Sequence, residues 1–319
     1  MVLPYLRHGP VTSILFQGGM EERLNLLIAE RAPWLFKRAG LNALCRRMLM
    51  SLLDYENTLT LAHQLRDQSP QAIAATMEGL IARHVSVSGL HNIPPQGPAL
   101  VVANHPTGIA DGIVVQHALG AVRRDVFFYA NADILRVLPQ LDRMIAPVEW
   151  RKGQRSHAKT RETLAYTRKA IREKRLGVIF PSGRLAKRCG LRLRERPWMA
   201  SAAMIARKYD LPVIPVHVQA HNSALFYALD MLHPTLRDVT LFHETLNKDK
   251  QPFEITIGAP IEAETLPKKS EDAIALLHQK TMALGEEAHE GIPISFRLKQ
   301  TSRFFGPAGM RDKKSSTTA

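Results

Sequence analysis

The spacing of apolar residues along this chain changes once, near His84. Over 21–83 they recur at helical intervals with few β-branched residues among them, which predicts a run of helices. Ser69-Pro70 predicts a break between two of these helices. From 84 onward short apolar runs alternate with amphipathic stretches. The pattern predicts strands over 84–90, 99–103, 125–130, 144–148, 176–180, 212–218 and 253–257. It predicts helices over 156–174, 198–208 and 271–284, and one more starting in the apolar segment 113–119. Strands alternating with helices predict an α/β fold: a mixed, largely parallel sheet flanked by helices, with an N-terminal helical segment. The expected organisation is a helical segment over 1–83, an α/β domain over 84–296 and a tail over 297–319.

Composition refines this picture. The chain has 319 residues, 45% of them hydrophobic, enough to bury the core of one large domain and to exclude wholesale disorder. No signal peptide is expected in residues 1–20, and no apolar run reaches the roughly 20 residues of a membrane span. Cys45 and Cys189 have neither the number nor the spacing of a metal cluster or disulfide framework. They fit a reducing, cytoplasmic setting and are expected to be small, semi-buried side chains.

Charge changes the picture more. Lys plus Arg number 43 against 29 acids, a formal charge of +14, which implies an anionic partner: nucleic acid, a phosphorylated substrate or an anionic membrane. Residues 31–47 carry Arg31, Lys37, Arg38, Arg46 and Arg47 without an acid, interleaved with Trp34, Leu35, Phe36, Leu41 and Leu44. That composition fits a helix lying on an anionic membrane surface, and equally a helix packed on the domain with a solvated basic face. Between 151 and 194 fifteen Lys or Arg face only Glu162 and Glu173. Lys159, Arg168, Arg172 and Arg175 are expected on solvated helix surface. Arg184, Lys187 and Arg188 follow a strand end, where open α/β sheets bind ligands, and are expected to contact phosphate. The tail over 297–319 is expected to be basic and disordered.

Candidate chemistry concentrates at 104–112, Asn-His-Pro-Thr-Gly-Ile-Ala-Asp-Gly. His105 leaves a buried strand and Asp111 is placed to N-cap the helix that follows. Folded together, imidazole and carboxylate make an oriented general base. An ordinary turn histidine and an ordinary helix cap would have the same spacing. No Gly-x-Ser-x-Gly elbow and no Gly-x-x-x-x-Gly-Lys loop is present, so neither a serine esterase nor an NTPase is supported. His217, His221, His233 and His243 lack acidic partners at metal-ligand spacing and are expected to be structural or surface residues. Trp198 is expected to pack on the sheet.

Three segments then fall in order: 104–112, Phe-Pro-Ser-Gly-Arg at 180–184, and Leu-Pro-Val-Ile-Pro-Val-His-Val at 211–218. Together they resemble the lysophospholipid (glycerolipid) acyltransferase superfamily, over roughly 84–262. Its signatures are an Asn-His followed by Asp, a Phe-Pro-Glu-Gly-Thr-Arg block and an Ile-Pro-Val strand. Two departures stand out. Five residues separate His105 from Asp111 where four are usual, and Ser182 replaces the block's Glu, with Arg184-Leu185 in place of Thr-Arg. Both resemble a hemolysin-like branch that includes lyso-ornithine-lipid acyltransferases, as do 222–227, His233-Pro234 and 246–248. A further block, aligned with Val148-Glu149-Trp150 and Arg151, fits less well.

The resemblance implies transfer of a fatty acyl group from an acyl thioester to a hydroxyl of a lysolipid. It implies His105 as general base and Asp111 as the group that fixes its tautomer. Asn104, Phe180, Pro181, Ser182, Gly183, Arg184, Lys187 and Arg188 are the implied substrate-binding residues. Arg184 would hold either the acceptor head group or the donor phosphates. No bound cofactor or metal is implied; acyl carrier protein or acyl-CoA is the co-substrate. The expected setting is the cytoplasmic face of an anionic membrane, peripherally bound, with a lysophospholipid or lyso-ornithine-type acceptor. Two other readings are a family member that has lost catalysis and only binds lipid, and a nucleic-acid-binding protein. The last rests on charge alone, since aromatics are 6% and no nucleic-acid motif is present.

Overall fold

The computed structural model describes residues 19–31, 46–51, 53–149, 153, 156–232, 236–237, 240, 243–244, 246–248, 251–285 and 291–294. The basic stretch 32–45, Trp150-Arg151, His233 and the tail 297–319 lie outside the described residues.

Three helices come first: α1 (Met20–Arg31), α2 (Tyr55–Leu65) and α3 (Pro70–Ile81). Ser69 caps α3, its hydroxyl accepting the Ala72 N–H, and Pro70 occupies the first helical position, where a missing N–H costs nothing. Met20, Leu24 and Leu27 of α1 pack with Ala62, Leu65 and Ile73 into a small core of their own. α3 ties that core to the main one, since Ile73 sits in the first and Ile81 in the second.

The domain that follows is built on strands β1 (Val85–Ser88), β2 (Ala99–Ala103), β3 (Val126–Asn131), β4 (Ile145–Val148) and β5 (Leu176–Ile179). A short pair, β6 (Lys187–Cys189) and β7 (Arg192–Arg194), precedes β8 (Val213–Gln219), β9 (Phe253–Ile257) and β10 (Ile292–Pro293). The main sheet has seven strands in the order β1-β9-β8-β2-β5-β3-β4. The run from β8 to β4 is parallel throughout, while β9 pairs antiparallel with β8 and parallel with β1. This is the mixed, largely parallel sheet that the alternation predicts. β10, β7 and β6 form a separate three-stranded antiparallel sheet.

Helices cover both faces: α4 (Ile109–Gly120), the short α5 (Asp133–Val137), α6 (His157–Arg172), α7 (Ser201–Tyr209), α8 (Ala224–Leu232) and α9 (Ser270–Met282). Alternation along β2 feeds both layers. Ala99, Val101 and Ala103 pack against α3 and α4, and Leu100 and Val102 against α6, α7 and α9.

Some boundaries differ from expectation. The helix after β2 begins at Ile109 rather than near 113, so Asp111 is its third residue and Gly108 its N-cap. α7 begins at Ser201, later than the predicted 198, because the Trp198 indole turns back to Glu195 and its ring packs edge-on to His278 at 5.2 Å. Trp198 does lie against the cluster on that face of the sheet. Lys187 and Arg188, expected in a loop, lie on β6. Arg175, expected in water, donates to the carbonyls of Asp125, Val126 and Arg143. Cys189 is exposed, not semi-buried, because it ends β6 at the tip of the pair.

Candidate active site

β8, β2 and β5 are adjacent and parallel, so their carboxyl ends lie side by side. The residues after β2 are 104–108 and those after β5 are 180–184, which brings two of the sequence blocks together at one edge of the sheet.

The turn after β2 is built around one carboxylate. Asp111 is wholly buried, and its Oδ2 accepts the Thr107 and Gly108 N–H groups, each at 2.9 Å, and meets His105 Nδ1 at 2.8 Å. Its Oδ1 accepts the Thr107 hydroxyl. An anion with these donors, in the first turn of a helix, is stabilised by hydrogen bonds and by the helix dipole. The fifth residue between His and Asp is absorbed here. Gly108 adopts φ 97°, ψ −127°, a conformation that an L side chain strains to reach, and this lets two successive N–H groups converge on Asp111.

His105 is held on several sides. Its N–H donates to Glu195 Oε2 at 3.0 Å, its carbonyl accepts the Ala186 N–H at 2.8 Å, and its ring stacks on Phe180 with centroids 4.4 Å apart. With Nδ1 directed to Asp111, Nε2 is left to face outward from a side chain that is 20% exposed. An imidazole whose inner nitrogen is fixed by a carboxylate and whose outer nitrogen is open can take a proton from a hydroxyl.

The other expected site residues divide into two groups. Asn104 is buried and its amide is tied to Val218, donating to the carbonyl at 2.9 Å and accepting the N–H at 2.7 Å. It joins the ends of β2 and β8. Pro181 is buried and its carbonyl accepts the Met199 N–H; Ser182 donates its hydroxyl to the Arg184 carbonyl at 2.8 Å. Gly183, at φ 59°, closes the turn with an N–H to the Phe180 carbonyl at 2.9 Å. Arg188 folds back onto the Gly190 carbonyl. Arg184 and Lys187 are exposed and, among the described residues, have no carboxylate partner.

Sequence reasoning missed the layer beneath. Glu195 is half-buried among the site residues, and loss of solvent around it pushes its carboxyl above the usual carboxylate range. Behind Asp111, Lys248 is fully buried, donating to Glu244 at 3.1 Å, to the His221 carbonyl at 3.0 Å and to Gln251 at 2.9 Å. Burial pushes the Lys248 ammonium down while Glu244, and more weakly Asp111, act to hold it up. The only signal for Lys248 was the resemblance over 246–248, which gave it no role. His217 is buried without a compensating charge, which lowers it to about 4, and His221 bonds the Asn222 carbonyl. Among the described residues no three His, Cys, Asp or Glu side chains are grouped to hold a metal ion.

Comparison with known proteins adds the class. Residues 84–219 match the acyltransferase family model, starting where the strand-and-helix alternation begins and spanning both blocks of the site. More particularly, the chain is 26% identical over 202 residues to a lyso-glycine lipid O-acyltransferase of Phocaeicola vulgatus, covering 61% of this chain and 70% of that protein. It is 25% identical over 207 residues to one of the same name from Bacteroides thetaiotaomicron, covering 63% and 74%. A 1-acyl-sn-glycerophosphate acyltransferase from Thermotoga maritima superposes with a TM-score of 0.43 at 13% identity, covering 83% of this chain and 96% of that one.

Proposed function

We propose that this enzyme transfers a fatty acyl group from an acyl thioester to the hydroxyl of a lysolipid with an amino-acid head group. The observation that carries the proposal is the 2.8 Å contact between His105 Nδ1 and buried Asp111, with Nε2 left open. A thioester carbonyl is reactive enough to be attacked directly by an alcohol once a base takes its proton, so no acyl-enzyme is required. His105 Nε2 accepts the hydroxyl proton as the oxygen adds to the carbonyl, and Asp111 stabilises the imidazolium. Collapse of the tetrahedral intermediate expels the thiolate, which takes the proton back from His105. The products are a two-chain lipid ester and a free thiol.

Two features favour an amino-acid lysolipid over a glycerol phosphate. Ser182 stands where the superfamily block has Glu, and exposed Arg184 beside it can bind the two oxygens of a carboxylate. The two relatives carry the name lyso-glycine lipid O-acyltransferase, which points the same way. A lyso-ornithine lipid has the same carboxylate and is the nearest alternative acceptor. CoA and acyl carrier protein are both acidic donors compatible with the basic face around Arg184 and Lys187. No helix among the described residues is long and apolar enough to cross a membrane, and we read the attachment as peripheral, to anionic lipid.

Lipid profiling by mass spectrometry, with wild type and His105→Ala expressed in one host, tests this reading. A two-chain amino-acid lipid that accumulates only with wild type names the acceptor. Identical lipid profiles for the two would refute the proposal.

A further inference from the structure

The site is assembled from blocks 104–112 and 180–184, and a third segment, 195–199, crosses between them. Glu195 Oε2 accepts the His105 N–H at 3.0 Å, and Oε1 accepts the Trp198 indole N–H at 3.3 Å. The Met199 N–H donates to the Pro181 carbonyl at 3.0 Å and pins the segment to the second block. Ser182 has a single hydroxyl hydrogen, and it is donated to the Arg184 carbonyl at 2.8 Å. Among the described residues no Lys or Arg pairs with Glu195 to hold it ionised.

We propose that Glu195 is a positioning residue of the active site: its carboxyl holds the His105 N–H, and its own segment, pinned at Met199 to the Pro181 carbonyl, ties the His105 turn to the Ser182–Arg184 turn. Glu195 acts through its neighbours: its bond to the His105 N–H sets where the imidazole stands, and the Met199 bond to Pro181 sets its segment against the turn that carries Arg184. The inference rests on His105 being the base.

The test compares purified wild type with Glu195→Gln and Glu195→Ala. The assay follows thiol release from palmitoyl-CoA with an N-(3-hydroxyacyl)glycine acceptor. The Gln amide oxygen can accept the His105 N–H as the carboxyl does, so Glu195→Gln should keep kcat within about threefold of wild type. Ala leaves both turns loose, and misplacement of a base by about 1 Å costs on the order of 100-fold, so kcat should fall by about that factor. KM should stay within about twofold and the folded fraction should be unchanged. The downfield Nδ1 proton resonance of His105, assigned by its loss in His105→Gln, should persist in Glu195→Gln and vanish in Glu195→Ala. A Gln variant as impaired as Ala, or an Ala variant with the kcat and resonance of wild type, overturns the proposal. Full activity in His105→Ala would sink the general-base reading instead, while the resonance in the Glu195 variants still reports whether Glu195 holds His105 in place.

Discussion

Two buried or half-buried edges of the same sheet use arginine in opposite ways. At the amino edge, Arg123 is 4% exposed, paired with Asp125 through both Nε and Nη2, and donates to the carbonyls of Pro94, Gly97 and Lys174. At the carboxyl edge, Arg184 is exposed and without a carboxylate partner. The first has its donors satisfied by the chain and holds three loops together. The second keeps its donors for something that arrives. The two histidines follow the same division. His217 is 3% exposed in the core, and His105 stands at the site with one nitrogen fixed and the other open. Residue type therefore says little about role in this protein; what decides it is whether the side chain's hydrogen-bonding groups are already satisfied.

That contrast can be broken first at Arg123. Arg123→Ala leaves three carbonyls and a carboxylate without their partner and should cost about 3–5 kcal/mol of folding stability, read by urea denaturation. Activity per folded molecule should stay at the wild-type level. Burial pushes the Asp125 carboxyl up, but Arg123 beside it outweighs this and holds it below the usual range. Stability from this pair is thus present above the unfolded carboxylate pKa and declines as pH falls through the native value.

His217 offers the next test. Burial lowers it from 6.5 to about 4, so between those values the unfolded chain binds the proton that the native chain refuses. Stability should then be full above pH 6.5 and fall on acidification toward pH 4, by about 3 kcal/mol from this residue. His217→Gln should flatten that part of the stability profile measured by denaturation from pH 7 to 4.5. An unchanged slope would show that His217 is not a buried neutral histidine. The smallest effect belongs to Arg184. Arg184→Gln should raise KM for the lysolipid about tenfold, the loss expected of one exposed charge-assisted contact, with no change in melting temperature. A change in stability without a change in KM would move Arg184 into the class of Arg123.

The parts of this protein that could be read from sequence are those whose partners are close along the chain. β2 is apolar at every position and buried at every position, and His105 and Asp111 are separated by a single turn. The two sequence blocks also sit at the ends of adjacent parallel strands, as their alternation with helices implied. What stayed hidden depends on contacts distant in sequence. Glu195 meets a backbone N–H that lies 90 residues earlier, and the Asn104 amide closes on Val218 114 residues later. No spacing rule marks either one. The β6–β7 pair was hidden for another reason: its strands are three residues long and mostly charged, so no apolar alternation announces them. They are held from one side by β10, whose sequence position is about a hundred residues away. The spacing pairs Asp111 with His105 but predicts it as the N-cap, whereas it is the third helical residue, because Gly108 can N-cap a helix without a side chain.

The central claim is that His105, oriented by Asp111, removes the proton from the acceptor hydroxyl. Its most direct test is single-turnover transfer from a radiolabelled acyl thioester to an N-(3-hydroxyacyl)glycine by purified wild type and His105→Ala. Wild type should form one labelled two-chain lipid per thioester consumed. His105→Ala should fold normally and transfer on the order of 10² to 10⁴ times more slowly, the range expected for loss of a general base. Transfer by the variant within a few-fold of wild type would contradict the account.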